Sequence, residues 1–113
     1  MGKGIDSELI EKILQFSKDR DWEKFHNEKD LAISITLEAA ELLENFQWTG
    51  EKVMGKDPEN MREELADILI YGVLMSHALG ADLHTIVERK LQKDGEKYPV
   101  EKAFGNVKKY DEL

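Results

Sequence analysis

Two short acidic motifs are the part of this sequence most able to do chemistry. Glu38-x-x-Glu41 and Glu64-x-x-Asp67 each set two carboxylates three residues apart, with 22 residues between the motifs. On a helix that spacing puts both acids of a pair on one face, about one turn apart. At about 100° per residue, Glu38 falls about 20° from Leu31 and about 40° from Leu42 around the helix. It borders the apolar stripe rather than opposing it. Glu64 falls among Ile68, Tyr71 and Met75, and Asp67 between Leu74 and Ala78. An ionised carboxylate buried without a partner costs several kcal/mol, and four together repel. Either their pKa values rise or cations neutralise them. Basic partners are scarce: Arg62 is the sole Lys or Arg between Asp57 and Gly80. A divalent metal is the economical answer. An all-oxygen ligand set without Cys points to Mg²⁺, with Mn²⁺ as a substitute, rather than to zinc or copper.

Most single Glu pairs at this spacing are solvated stripes with ordinary salt bridges. Two matched pairs on apolar helices argue against that reading here. Glu44, Glu59 and Glu63 read as surface charges. A ferritin-like di-iron bundle would use two Glu-x-x-His motifs plus two further Glu. Glu23-x-x-His26 is the only such motif, and it lies in a connecting segment.

The elements that must position these acids read as helices throughout. Asp6 or Ser7 can cap a first helix running to about Lys18. Residues 19–29 form an irregular connection carrying Trp22, Phe25 and His26. A second helix is predicted over 30–46. A loop broken by Gly50, Gly55 and Asp57-Pro58 follows, and Asp57 with Pro58 is a fair helix start. The third helix runs to about Ala78 and stops at Gly80. A fourth starts at Asp82 and ends near Asp94-Gly95. The remainder is polar, with Tyr98, Val100, Phe104 and Tyr110 as anchors. No strand-like alternation and no repeat occurs.

The fold class is therefore all-α, an antiparallel four-helix bundle in a single domain over 1–113, with flexible tails at about 1–7 and 108–113. Between Ile68 and Leu79 only Ser76 and His77 are polar. A helix apolar all round wants burial on every side, so the bundle is expected to be completed by a second copy, and His77 reads as a core histidine.

Composition sets limits on partners. The net charge is -8, which argues against a nucleic-acid polymer, since binding its backbone needs a basic patch. Cys is absent, which removes thiolate chemistry and disulfides. The most apolar run, Ile68 to Leu79, is 12 residues long and too short to span a bilayer. Met1 to Ser7 has no apolar core of a signal peptide. The expectations are no membrane and a cytoplasmic setting.

The text around the two motifs is similar to one family. Arg20-Asp21-Trp22 with Phe25-His26, Glu41-Leu42-Leu43-Glu44-Asn45-Phe46-Gln47-Trp48, Asp67-Ile68-Leu69-Ile70-Tyr71 and Lys97-Tyr98-Pro99-Val100 resemble the MazG-like all-α nucleoside triphosphate pyrophosphohydrolases, in their dCTP pyrophosphatase branch. The resemblance covers about residues 8–107. It implies a helical bundle forming homodimers or homotetramers. It also implies Mg²⁺-dependent cleavage between the α- and β-phosphates, giving a nucleoside monophosphate and pyrophosphate. On it, Glu38, Glu41, Glu64 and Asp67 are metal ligands and the catalytic set. Trp22 and Trp48 wall the base, with His26 near base or sugar. Tyr71, Lys90 and Lys97 surround the phosphates, and the adjoining Tyr98 is a further substrate-binding residue. Asp94 stands where the family usually has Asn, and a carboxylate there repels phosphate unless a cation intervenes.

Taken singly, each Trp is more often a core-edge residue than a base stacker, and Lys90 and Lys97 also read as a solvated basic face near a helix C-terminus. A carboxylate not fully engaged by metal could act as general base, with Glu41 the candidate. Gly2-Lys3-Gly4 lacks the spacing of a phosphate-binding loop. Two rivals remain: a non-catalytic helical interaction module, and a related pyrophosphatase of different base preference, dUTPase-like for example.

Overall fold

The computed structural model describes residues 4–113. The expected N-terminal tail falls partly outside them, at residues 1–3. The chain is all-α, and the four predicted helices form. Asp6 starts α1 (Ser7–Asp19): its carboxylate accepts from the Leu9 N–H at 2.9 Å. A 3-10 turn, Glu23–Phe25, leads to α2 (Glu28–Leu43). This helix begins two residues early because Asn27 caps it, accepting from the Asp30 N–H at 2.8 Å, and the acidic first turn suits the helix dipole.

The second helix was expected to continue to Phe46, but α2 ends at Leu43 and Glu44–Phe46 is a 3-10 turn. The physical reason is a side-chain hydrogen bond. The Asn45 carboxamide donates to the Leu42 carbonyl at 3.3 Å, supplying a partner that a helix end leaves missing. Asp57 then caps α3 (Pro58–Ala78), accepting from the Asn60 N–H at 3.1 Å with Pro58 at the first helical position. Gly80, at φ +64°, closes α3 in the left-handed region that suits glycine.

Two compact units are distinguished, one ending at Gly80 and the other Ala81–Leu113. In the first, α2 packs along α3 and α1 lies against α3. Leu31 of α2, at 1% exposure, and Val73 and Leu74 of α3 are the buried apolar core. Burying such a side chain is worth about 1.5–3 kcal/mol. The α2–α3 pairing is thus what carries the two acidic motifs toward each other.

Not every apolar face of α3 is covered: Leu65 and Leu69 remain about half exposed. His77 is exposed, which corrects its reading as a core histidine. It sits in the last turn of α3, beyond the buried Val73, Leu74 and Ser76.

In the second unit Asp82 caps α4 (Leu83–Lys97). Hydrogen bonds from the Thr85 hydroxyl at 2.6 Å and N–H at 3.0 Å hold its carboxyl below the usual range. The helix passes through Gly95 and ends two residues later than predicted. A short α5 (Val100–Ala103) and a 3-10 turn, Tyr110–Glu112, follow. No single helix among the described residues is long and apolar enough to cross a membrane.

Candidate functional site

Glu38 and Glu41 sit one turn apart on α2, and Glu64 faces them from α3. Each offers an oxygen within 4.8 Å of the other two. Glu38 and Glu64 are half-buried and Glu41 is exposed. The Oε2 atoms of Glu38 and Glu64 are buried and have no hydrogen-bond partner. Among the described residues, none of the ion pairs involves these three acids. Buried polar atoms are normally paired, and a cation could be the partner of these two orphaned oxygens.

The protons respond to that crowding. Burial pushes the Glu38 carboxyl up to about 7, helped by the Glu64 and Glu41 carboxyls beside it and by the charges of Glu41 and Asp67. Glu41 is also raised, foremost by its hydrogen-bonding proximity to Glu64. Without a cation Glu38 and Glu41 keep their protons to higher pH than free carboxyls do. Three convergent hard oxygen donors fit a divalent cation of the Mg²⁺, Ca²⁺ or Mn²⁺ type.

Asp67, the fourth acid of the set, lies outside this group. It is exposed, one turn along α3 from Glu64, and lines a cleft of about 340 Å³ with Phe16, Trp22, His26 and Tyr71. Trp22, His26 and Tyr71 also line an adjoining hollow with Phe25 and Asp30. Trp22 is fixed from α1: its backbone N–H donates to the Ser17 carbonyl at 3.0 Å, and its ring meets Phe16 edge-on at 5.8 Å. The Arg20 guanidinium lies over the Phe16 ring at 3.6 Å. Three of the residues predicted around a base or phosphate are thus gathered on the cleft that Asp67 enters.

Trp48 follows the 3-10 turn after α2. It is 88% exposed and stands at φ +67°, a backbone that bulky residues rarely adopt. Lys90, Asp94, Lys97 and Tyr98 all belong to the second unit. There Lys90, not Lys97, forms an ion pair with Asp94, so the unexpected carboxylate has a cation of its own. Lys97 stacks its ammonium over the Tyr110 ring at 4.9 Å, and Tyr98 meets the same ring edge-on at 6.2 Å.

Sequence reasoning missed a polar group on the other flank of the acids. Asn45, Lys56, Asp57 and Asn60 line a second cleft with Glu41, Glu44 and Glu64. The signal available was Asn60 four residues before Glu64, which places them together on α3. Asn45 offered none, since two of its three partners, the Asp57 N–H and Asn60, come from a loop and another helix.

Comparison with known proteins agrees with the motifs. The MazG-like family model matches residues 33–113. The dCTP pyrophosphatase 1 of Rattus norvegicus is 34% identical over 105 residues, covering 88% of this chain and 62% of that protein. The Homo sapiens protein of the same name is 33% identical over the same shares. The chain therefore spans somewhat less than two-thirds of the length of these relatives. The crystal structure of a pyrophosphatase from Archaeoglobus fulgidus DSM 4304 superposes with a TM-score of 0.77 at 36% identity, covering 88% of this chain and 96% of that one. With the family matched over most of its length and the two acidic motifs brought together by α2 and α3, this chain belongs to the MazG-like family.

Proposed function

We propose that the chain is a Mg²⁺-dependent nucleoside triphosphate pyrophosphohydrolase, releasing a nucleoside monophosphate and pyrophosphate. Its substrate is dCTP or a modified pyrimidine deoxynucleotide, and its role is cleansing the nucleotide pool in the cytoplasm. The observation that carries this reading is the pair of buried, unpartnered carboxylate oxygens on Glu38 and Glu64, next to a cleft walled by Trp22, His26 and Tyr71. The names of the relatives at 33–34% identity supply the substrate.

Glu38, Glu41 and Glu64 would hold the cation, with Asp67 one turn along α3 as the fourth ligand of the set; when bound it would supply a counter-charge for the phosphates and polarise water for in-line attack. Glu41 is the exposed member of the cluster, and a carboxylate not fully engaged by metal is the candidate to accept a proton from the attacking water. Trp22 and Trp48 stack on the base. Base–aromatic stacking is worth about 1–3 kcal/mol, and an exposed Trp in a strained backbone has no packing reason to be there. Tyr71, Lys90 and Lys97 contact phosphate, Tyr98 binds the substrate, and the Lys90–Asp94 pair blunts the repulsion Asp94 would otherwise exert. The working form is a homodimer or homotetramer, supported by the half-exposed Leu65 and Leu69 on α3 and Ile33 and Leu37 on α2.

The deciding experiment is a panel of canonical and modified nucleotides with Mg²⁺, products resolved as monophosphate plus pyrophosphate. Release of pyrophosphate from dCTP with no turnover in chelator is the expected result. No release from any nucleotide would leave the non-catalytic interaction module. Preference for dUTP would move the chain to the dUTPase-like reading. Trp48→Ala turning over dCTP as well as the parent would remove the stacking role.

A further inference from the structure

Asn45 is the least explained polar residue in the first unit. It is 6% exposed, sits in the turn after α2, and its side-chain hydrogen bonds go to groups other than the three clustered acids. Its carboxamide nevertheless makes three contacts. Nδ2 donates to the Leu42 carbonyl at 3.3 Å and to Asn60 Oδ1 at 2.9 Å, and Oδ1 accepts from the Asp57 N–H at 3.2 Å. Asn60 in turn donates from Nδ2 to Glu64 Oε1, a long contact at 3.4 Å.

The polarity of this chain of contacts is forced. A carboxamide can be turned over to exchange its O and N. A backbone carbonyl can only accept and a backbone N–H can only donate. Leu42 and Asp57 therefore fix which end of Asn45 is which. Asn45 then presents N–H to Asn60, so Asn60 must turn its oxygen toward Asn45 and its own N–H toward Glu64. Glu64 is engaged through Oε1 by a donor, while its Oε2 stays buried and unpartnered. The Asn45 backbone carbonyl, accepting from the Lys56 N–H at 3.0 Å, ties the same residue to the loop ahead of α3.

We infer that Asn45 is a positioning residue for the metal site: it sets the orientation of Asn60, which orients the Glu64 carboxylate toward the cation. The inference rests on the proposed metal-binding role of Glu64. Groups that orient metal ligands typically change metal affinity by about 10–100-fold when removed.

The experiment is calorimetric titration with Mg²⁺ alone, without nucleotide, at a temperature well below each variant's melting point. The parent, Asn45→Ala, Asn60→Ala and the double variant form a cycle. Asn60→Ala is expected to weaken Mg²⁺ by about tenfold. Asn45→Ala should weaken it similarly although its side-chain hydrogen bonds go to none of the three acids. The double variant should be no weaker than Asn60→Ala, since both act through one path. A merely structural Asn45 would lower the melting temperature and leave the Mg²⁺ affinity at the parent value, and that result overturns the inference. So do losses that multiply in the double variant. Should Asn45→Ala not fold, Asn60→Ala decides: parent affinity in that variant overturns the orientation path. A parent chain that binds no Mg²⁺ defeats the metal reading itself, whereas a parent that binds and variants that bind equally defeat only the role of Asn45.

Discussion

Toward its C-terminal end α3 carries Val73, Leu74 and Ser76, all buried. Toward its N-terminal end it carries Asn60, Glu64 and Asp67, which meet other polar groups or solvent. One helix is thus held in two ways. The apolar end gains from exclusion of water, which is non-directional and tolerant of small shifts. The acidic end is held by a cap and a few directed hydrogen bonds, and it bears like charges that push apart. The contrast teaches where stability and function are separated along the same element. The apolar end supplies the free energy, and the acidic end consumes part of it to keep unpaired oxygens in place.

Changes at the two ends should therefore have opposite signs. The largest expected effect is on activity. Glu64→Ala should lower pyrophosphate release by about a hundredfold or more, the size of loss seen when a transition-state electrostatic partner is removed. In chelator the variant should be at least as thermostable as the parent, because one of three crowded acids is gone. Parent-level turnover in Glu64→Ala would remove the carboxylate cluster from the mechanism. Leu74→Ala should do the reverse: a cost of about 2–5 kcal/mol in stability, read by urea unfolding. Its Mg²⁺ affinity should stay at the parent value while the chain is folded. A cost below about 1 kcal/mol would mean that the site collapses around the cavity.

Proton binding sharpens the same contrast. Glu38 has a folded pKa pushed up to about 7 from 4.5. Below 4.5 both folded and unfolded chains hold its proton and it has no effect. Between 4.5 and 7 the unfolded chain gives the proton up and the folded chain keeps it, so stability falls as pH rises. Above 7 the loss is complete. The melting temperature in chelator should drop across that window, and Glu38→Gln should flatten the drop. Saturating Mg²⁺ should also oppose it, since the cation takes the place of the proton. A parent chain with no drop, or a Gln variant with the same drop, would show that Glu38 is not the group responsible.

The acidic pairs were legible in the sequence because their spacing matches the helical turn and their neighbours are apolar. The cap at Asp57-Pro58 was legible for the same kind of reason, being a local backbone rule. What brings Glu64 to Glu38 and Glu41 is the packing of α2 on α3, a contact across the chain that periodicity implies only in outline. The separation of Asp67 from the other three was not legible. A wheel places residues by angle, and Asp67 enters the aromatic cleft because of how far along α3 it lies and how α1 meets that helix. The early end of α2 was missed because its cause, the Asn45 carboxamide taking the Leu42 carbonyl, depends on the loop that holds Asn45.

The smallest expected effect separates the cap from the polar path beside it. Asp57 contributes its side chain to the Asn60 N–H and its backbone N–H to Asn45 Oδ1. Removing only the side chain, in Asp57→Ala, leaves the second contact in place. It should cost about 1 kcal/mol, seen as a fall of several degrees in melting temperature for a chain of this size, with Asp57→Asn recovering most of it. Mg²⁺ affinity should stay within about twofold of the parent, because Pro58 at the first helical position still presets the start of α3 and the Asn60 side chain keeps both its partners. A tenfold loss of Mg²⁺ affinity in Asp57→Ala would mean that the acidic end is positioned by the helix start as a whole. Orientation of Glu64 would then follow from the cap, and the two ends of α3 would differ less than their side chains suggest.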